Sequence, residues 1–464
     1  MNKYNTHTQF LDIWISKIPA RWQAHKMKHL FSERSEKGYP NEPLLVASQN
    51  MGVVPKNVYG NRTVEAQKDL HLLKLVRVGD FVISLRSFQG GLEYAYYQGI
   101  ISPAYTILIP HEPMSGSYFR YLAKSKPFIG LLTLCVTGIR EGQNIDYAKL
   151  KNHLLPVPPR EEQDQIVRFL DWKVSSINKL ISNYRHQIVL LEEMKQRKID
   201  EAVVKGMRKS ALIHNHDVRW DIDYPEHWQI RRIRESFSFR KGLSITKANL
   251  VETGIAVISY GQIHSKKNSG VSLNEELIRY VNESYLTTNQ SCLVEKGDFI
   301  FADTSEDVTG CGNCAYIDWD DTIFAGYHSI IAHPDGSTNN KYLAYLFKSP
   351  TWRYQIRKKV NGVKVYSITQ KMLKDAFILI PPDDEQKEIV RYLDEVCAKI
   401  DAAIKKMEEK IANLQDLKIR LVADTVTGKI DVRSIEIPEY EFVDEDADAD
   451  NEDDGEEDTE EQED

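Results

Sequence analysis

One long motif occurs twice in this chain. The sequence PPREEQDQIVRFLD at 158–171 returns as PPDDEQKEIVRYLD at 381–394, with a constant offset of 223 residues. Solenoid repeats have periods of about 20–50 residues, so a repeat of this length indicates a duplicated domain pair. If each copy of the duplicated domain binds part of a target, the target is predicted to have two halves as well.

Two shorter motifs follow the same duplication. A Pro-x-x-Trp element opens each half and ends at Trp22 and Trp228, and a Gly-Asp pair precedes an apolar segment at Gly79 and Gly297. The offset between copies grows from 206 to 218 and then to 223 along the halves. Insertions therefore accumulate in the early part of each half, where we expect the halves to differ in what they recognise.

Each Pro-Pro dipeptide is followed by the pattern of a long helix. Neither 160–205 nor 383–427 contains proline or glycine, and apolar residues recur at spacings of three and four. At a rise of about 1.5 Å per residue each helix would extend roughly 65 Å, and so narrow an apolar stripe requires a second helix to cover it. Asp383 and Gln386 have the spacing of a capping box, and Gly206 and Gly428 mark the helix ends. The predicted seam residues are Ile166, Leu170, Ile177, Ile181, Leu191, Ile389, Leu393, Ile400, Ile404, Ile411 and Leu414.

The duplicated order of these motifs resembles that of the specificity subunits of type I restriction–modification enzymes. The resemblance runs from about Ile18 to Asp431 and includes LLVAS at 44–48, GVVPK at 52–56 and SPAY at 102–105. It implies an α+β fold with two target-recognition domains of mixed sheet and helices, each followed by a long helix, the two helices packing as an antiparallel coiled coil. The implied boundaries are 1–157 and 208–380 for the recognition domains, 158–207 and 381–433 for the helical spacers, and 434–464 for a disordered acidic tail.

The charge is unevenly distributed along the chain. The whole chain carries a net charge of −8, yet no Lys or Arg follows Arg433, and 18 of the 68 acidic residues lie beyond it. Residues 1–433 therefore carry a net charge of +10, which suits a phosphate backbone. The tail is either a solubilising extension or a segment that competes with DNA or contacts a partner.

Length and composition exclude several classes. At 464 residues and 42% hydrophobic content the chain can build two globular cores. It has no apolar run long enough for a membrane span, and its first ten residues are polar, so we expect a cytoplasmic protein that binds no membrane. The five cysteines predict no disulfide framework. Cys311 and Cys314 have suggestive spacing for a metal, but a glycine-containing turn between strands is the better interpretation.

The sequence lacks the catalytic motifs expected of a methyltransferase or a nucleotide-binding enzyme. No Asn-Pro-Pro-aromatic tetrapeptide for gripping a flipped adenine is present, and no phosphate-binding Gly-x-x-x-x-Gly-Lys-Ser/Thr. The acidic residues after Pro382 resemble a nuclease motif, but they fall on the first turn of a predicted helix. We therefore predict no catalytic residue and no metal site. A structural coiled-coil adaptor explains the helices but not two large domains with a basic body.

The candidate DNA contacts are polar or basic residues on predicted loops of each recognition domain. Arg140 and Lys364 occupy matching glycine-flanked places, which favours a shared phosphate-binding role. The first-domain candidates are Ser48, Gln49, Arg86, Ser87, Gln89 and Arg140, and the second-domain candidates are Lys241, Ser244, Lys247, Gln262, Thr304, Ser305 and Lys364.

The resemblance implies recognition without catalysis. Each globular domain would contact one half of a split, asymmetric double-stranded DNA sequence, and the helices would fix the gap between the halves. The helices would also dock two methyltransferase subunits, which two restriction subunits can join. No cofactor is expected in this chain, because S-adenosylmethionine, ATP and Mg would be bound by the partner subunits.

Overall fold

The computed structural model describes residues 3–49, 51–59, 69–83, 90–137, 144–217, 220–362 and 365–444. The chain divides into two compact units. Unit 1 combines Met1–His186 with Met407–Asp464, and unit 2 is the continuous segment Gln187–Lys406. Each unit therefore contains one globular half together with a part of each long helix.

The described part of unit 1 is built from short antiparallel strands and helices. Its four-stranded sheet has the order β4 (Phe31–Arg34), β11 (Thr106–Pro110), β8 (Phe81–Ile83) and β9 (Glu93–Tyr94). The other strands pair as β1 (His7–Gln9) with β2 (Lys17–Pro19), β3 (Gln23–Lys26) with β14 (Leu154–Val157), β5 (Leu45–Ser48) with β6 (Gly52–Pro55), β7 (Lys74–Val76) with β10 (Gly99–Ile101), and β12 (Val136–Thr137) with β13 (Asn144–Ile145). The helices are α1 (Lys56–Tyr59), α2 (Gly116–Ala123), α3 (Lys126–Leu134), α4 (Tyr147–Leu150) and the first part of the long α5 (Arg160–Lys205).

Unit 2 has a four-stranded and a five-stranded sheet. The first has the order β18 (Phe237–Lys241), β27 (Ser329–Pro334), β23 (Phe299–Ala302) and β25 (Cys314–Tyr316), and the second β19 (Leu250–Val251), β21 (Arg279–Val281), β20 (Ile255–Ile258), β26 (Ile323–Ala325) and β22 (Leu293–Val294). The pairs are β15 (Leu212–Asn215) with β16 (Ile222–Pro225), β17 (Gln229–Arg232) with β29 (Phe377–Ile380), and β24 (Thr304–Ser305) with β28 (Tyr366–Ser367). The helices are α6 (Tyr260–His264), α7 (Tyr285–Thr288), α8 (Asn340–Lys348), α9 (Pro350–Arg357), α10 (Gln370–Lys374) and the long α11 (Asp383–Val426).

The two units repeat one topology. The sheet β4-β11-β8-β9 has the same order as β18-β27-β23-β25, and the pair β3–β14 corresponds to β17–β29. The units differ in the region between these shared strands. Unit 2 places its five-stranded sheet there, with β20 and β26 parallel, whereas unit 1 has the pairs β5–β6 and β7–β10. The expectation that the halves diverge in their early part is confirmed.

The repeated tryptophan and glutamate are bonded to each other in both units. Trp22 Nε1 donates to the Glu162 carboxylate at 2.9 Å, and Trp228 Nε1 donates to Glu385 at 2.9 Å. Both carboxylates are buried, and a buried charge must be hydrogen-bonded to be tolerated. The Pro-x-x-Trp element therefore anchors the start of the long helix that follows it.

The same indoles also receive the end of the other long helix. Gly428, just after α11, packs against Trp22, and Gly206, just after α5, packs against Trp228. Their φ angles of 74° and 72° are left-handed, and a Cβ at either position would lie within 3.0 Å of a neighbouring atom. The predicted helix ends are confirmed at both glycines.

The repeated glutamine joins the start of each long helix to the start of an earlier short helix, α8 in unit 2 and α2 in unit 1. Gln386 Oε1 accepts a hydrogen bond from Asn339 N at 2.8 Å, and its Nε2 donates to Pro381 O at 2.7 Å. Gln163 makes the same pair of bonds in unit 1, where Ser115 N is the donor at 2.8 Å. The capping box predicted at the start of α11 is wrong, because the Gln386 side chain bonds to Asn339 and Pro381 instead.

The long helices lie alongside each other in opposite directions within unit 1. Asn178 on α5 contacts Lys418 on α11, and further along α5 the Tyr184 ring lies 4.9 Å from Lys410 Nζ. This antiparallel course agrees with the predicted pairing, while packing as a coiled coil stays a prediction. Of the predicted seam residues, those buried are Ile166, Leu170, Ile177, Ile181, Ile389, Leu393 and Ile400, and those half-buried are Leu191, Ile404, Ile411 and Leu414.

The segment after α11 returns along α5. Ser175 Oγ donates to Glu441 O at 2.9 Å and accepts from Val443 N at 2.7 Å. Asn178 Nδ2 donates to Val443 O, and Gln165 Nε2 donates to Ile435 O at 2.8 Å. The prediction of a disordered tail over 434–464 is therefore corrected for 434–444, and the rest of that tail lies outside the described residues.

Candidate nucleic-acid interface

The first-domain candidates that the structure describes lie at the turn between β5 and β6. Ser48 is buried, and its hydroxyl accepts a hydrogen bond from Met51 N at 3.2 Å. Gln49 is exposed, and its carbonyl accepts from Lys124 Nζ at 2.8 Å. Both residues therefore shape the turn, and a base contact by either stays a prediction. The candidates Arg86, Ser87, Gln89 and Arg140 lie outside the described residues.

Three second-domain candidates are exposed residues at one end of the four-stranded sheet. Lys241 ends β18, Ser244 follows in the next loop, and Lys247 begins a short 3-10 turn. The adjacent Gly242 N donates to Ser329 O at 3.1 Å, which ties this loop to the start of β27. Lys364 lies outside the described residues.

Three more second-domain candidates lie around α6 and β24. His264 Nε2 donates to Thr304 O at 2.8 Å and thereby joins the helix to the strand. Gln262 Oε1 accepts from Ser259 N at 3.1 Å, and Ser305 Oγ donates to Asp307 O at 2.7 Å. The structure brings these candidates together, although the Gln262 and Ser305 side chains already have internal hydrogen-bond partners.

An aromatic cluster connects the two groups of second-domain candidates. The Tyr260 ring lies 5.5 Å from the rings of both Tyr327 and His328. His328 has a left-handed φ of 53°, which is uncommon for a residue with a side chain. Its Nδ1 lies 3.1 Å from the Asp303 carboxylate, beside Thr304. Sequence reasoning missed these rings, because nothing local marks a tyrosine or histidine as part of a loop cluster.

A cavity of about 700 Å³ opens next to α6. One side is formed by α6 and the loop after it, another by 305–310, and a third by the helices α8 and α9. Ser305 is the only predicted candidate among the described residues that line it. The residues that carry its chemistry are His264, Lys266, Asp307, Asn313, Lys348 and Arg353.

Two cations line this cavity without an ion pair among the described residues. The Lys348 side chain makes no hydrogen bond in that part of the chain, and the Arg353 side chain donates one, from Nε to Phe347 O at 2.9 Å. Burial, reinforced by the nearby Arg353 charge, lowers the pKa of Lys348 to about 8. Burial also lowers the pKa of Arg353 to about 10. Neither residue was predicted, because a lysine or an arginine on a short helix looks like an ordinary surface charge in a sequence.

The acidic residue of the cavity is held by its own loop. The Asp307 carboxylate accepts from Thr309 Oγ1 and from Gly310 N, both at 2.6 Å. These bonds lower the pKa of Asp307, the Thr309 hydroxyl contributing most. The Asp307 charge is therefore stabilised by its loop and not by the two cations.

The cysteines lie in the core of their units. All five are buried with reduced thiols. Gly312, between Cys311 and Cys314, has a φ of 90°, so the predicted glycine-containing turn before β25 is confirmed. Among the residues that the structure describes, no group of three or more His, Cys, Asp or Glu side chains is placed to hold a metal ion. Within the same ranges, no helix combines the length and the apolar character that a bilayer crossing requires.

Comparison with known families and proteins gives consistent matches. The family model described as "Type I restriction modification DNA specificity domain" matches residues 225–413. The MjaVIII type I restriction enzyme specificity subunit of Methanocaldococcus jannaschii is 21% identical over 365 residues, which cover 78% of this chain and 81% of the relative. The EcoKI specificity subunit of Escherichia coli K12 is 23% identical over 342 residues, covering 70% and 68%.

A solved structure has the same fold. It is described as "Structural basis underlying complex assembly and conformational transition of the type I R-M system", and it superposes with a TM-score of 0.64 at 15% identity. The match covers 89% of this chain and 99% of the solved chain. The α+β fold expected from the sequence is thereby confirmed.

Proposed function

We propose that this chain is a specificity subunit of a type I restriction–modification system and that it selects the DNA sequence on which such a complex acts. Each unit reads one half of a split, asymmetric site in double-stranded DNA. The observation that carries this proposal is the repetition of one frame with different insertions. The shared strands and the Trp–Glu bond give both units the same scaffold, whereas the regions between those strands differ.

Charge supports the same proposal. Residues 1–433 carry a net charge of +10, and the unit 2 candidates lie beside two further cations, Lys348 and Arg353. Phosphate contacts supply much of the affinity of a DNA-binding protein and position it on the duplex. Polar groups on the loops around α6 and β24 would then be presented to base edges.

The chain itself is proposed to be non-catalytic. Its partners are two methyltransferase subunits, which two restriction subunits can join, and the long helices provide their docking surface. S-adenosylmethionine, ATP and Mg are bound by those partners and not by this chain. Support comes from the names of the relatives, which are specificity subunits, and from a sequence without methyltransferase or nucleotide-binding motifs.

Genome-wide mapping of N6-methyladenine in cells with and without this gene tests the proposal. We expect deletion to abolish methylation at one bipartite motif with a fixed gap, and re-introduction of the gene to restore it. An unchanged map in cells that express an intact methyltransferase partner would refute the specificity role. That result would favour a structural adaptor, in which the helices serve assembly alone.

A further inference from the structure

Lys348 in unit 2 and Lys124 in unit 1 occupy equivalent positions. Each lies at the C-terminal end of a short helix, α8 or α2, and each is followed by a serine that begins the next helix region. Their offset of 224 residues equals that between Tyr118 and Tyr342, two buried tyrosines whose hydroxyls donate to equivalent backbone carbonyls. The duplication therefore provides an internal comparison for Lys348.

Unit 1 neutralises its lysine with a carboxylate of its own. Lys124 Nζ lies 2.6 and 2.7 Å from the two oxygens of Glu93, which is 1% exposed. Glu93 pairs with Val82 on β8, the second residue after the Gly-Asp motif. In unit 2 the corresponding strand register pairs Ala315 with Ile300. Alanine thus stands where unit 1 has the buried glutamate.

Unit 2 also adds a second cation. Arg353 lines the same cavity as Lys348, and the two charges repel each other enough to depress the lysine pKa further. Among carboxylates, Asp401 does most to raise the pKa of Lys348, but Asp401 is already paired with Lys195 at 2.6 Å. Lys348 and Arg353 are both half-buried, and neither forms an ion pair among the described residues. Removing a cation from water without an opposite charge nearby is destabilising, so two such cations beside an open cavity indicate a ligand that brings negative charge.

We propose that this cavity binds a phosphate group through Lys348 and Arg353, and that the phosphate belongs to the backbone of the DNA held by unit 2. This inference rests on the proposed function for the identity of the DNA. Lysine supplies a compact charge and arginine a planar set of donors, a combination well suited to phosphate oxygens. In unit 1 the equivalent lysine, Lys124, is already paired with Glu93. The two units would therefore hold their halves of the DNA site through different contacts.

The test uses the full chain in complex with its methyltransferase partners. Duplex affinity is measured over a range of salt concentrations for the wild type, Lys348→Gln and Ala315→Glu. The second variant supplies the internal carboxylate that unit 1 has. Lys296→Gln is the matched control, because Lys296 is an exposed lysine of the same unit paired with Asp320 at 2.6 Å.

Loss of one phosphate contact should lower the slope of log affinity against log salt by about 0.9 and weaken binding about threefold to tenfold at low salt. We expect this for Lys348→Gln and Ala315→Glu but not for Lys296→Gln. Should Ala315→Glu fail to fold, as judged by its melting profile, Lys348→Gln alone decides. An unchanged slope in Lys348→Gln would overturn the proposal.

A second arm separates the two sources of phosphate. Binding of inorganic phosphate is measured by calorimetry without DNA. Phosphate binding that Lys348→Gln abolishes, combined with an unchanged DNA salt slope, would overturn the DNA assignment and assign the cavity to a free phosphate compound. In cells, Lys348→Gln should leave the methylated motif unchanged at lower occupancy. A wild type that supports no motif at all would instead refute the proposed function, while the calorimetric arm would still test the cavity.

Discussion

Replacing Gln386 by alanine should destabilise unit 2 substantially. The side chain is 1% exposed and satisfies two buried backbone groups, the Asn339 amide and the Pro381 carbonyl. A buried polar group left without a partner costs about 1–3 kcal/mol, so two such groups should lower the free energy of unfolding by about 3 kcal/mol. The effect arises at the junction of α8 and α11, and it should appear there first.

Hydrogen exchange measured by mass spectrometry can locate this loss. In Gln386→Ala we expect faster exchange at the start of α8 and the first turns of α11, with unit 1 unaffected. Gln163→Ala should give the mirror result in unit 1, because Gln163 makes the equivalent bonds. Gln187→Ala is the control, since Gln187 is an exposed residue of α5. A loss below about 0.5 kcal/mol in both variants, as for ordinary surface substitutions, would refute the reasoning.

Three further outcomes follow from the structure. Lys348→Met should raise the melting temperature at pH 7, because the depressed Lys348 pKa of about 8 means that the charged lysine opposes folding. The difference in melting temperature between variant and wild type should shrink as the pH rises from 8 to about 10. A difference that stays constant over this range would contradict the prediction. Truncation after Arg433 removes the hydrogen bonds of Ser175 to the returning segment and should cost unit 1 about 2 kcal/mol, seen as faster exchange in the first half of α5; unchanged exchange there would contradict it. Matched four-residue insertions after Tyr184 and after Lys410 add about one helical turn to each helix and should lengthen the gap between the two half-sites of the methylated motif, with both half-sites preserved. An unchanged gap would argue against the helices as a spacer.

The sequence predicted those features whose signals are local or repeated. A helix without proline or glycine, ended by Gly206 or Gly428, can be recognised because each residue reports on its own neighbourhood. The partner of Gln386 could not be predicted, because Asn339 is brought to it only by the packing of α8. Local spacing suggested a capping box, and a non-local hydrogen bond took its place.

The candidate site shows the same boundary between local and non-local information. Nothing in the sequence around Lys348 distinguishes it from a solvated lysine at a helix end. Lys348 has no ion-pair partner in the described part of the chain because an alanine, Ala315, stands where a carboxylate could. This can be seen only from the strand register, which places Ala315 at the position that Glu93 has in unit 1. The acidic tail was misjudged over 434–444 for a related reason: its charge suggested disorder, whereas Ile435 and Ile437 pack against the core of unit 1.

The division of the chain into one continuous and one split unit has a consequence for synthesis on the ribosome. Domains usually fold as they emerge, the N-terminal one first. Here unit 2, Gln187–Lys406, is complete before the residues from Met407 onward, which unit 1 requires, have been made. Tyr118 must wait for the Val426 carbonyl that its hydroxyl contacts at 2.8 Å and that is synthesised 308 residues later. Unit 1 begins to be synthesised first and is therefore completed last, so a chain arrested between Lys406 and Val426 would hold a complete unit 2 and an incomplete unit 1.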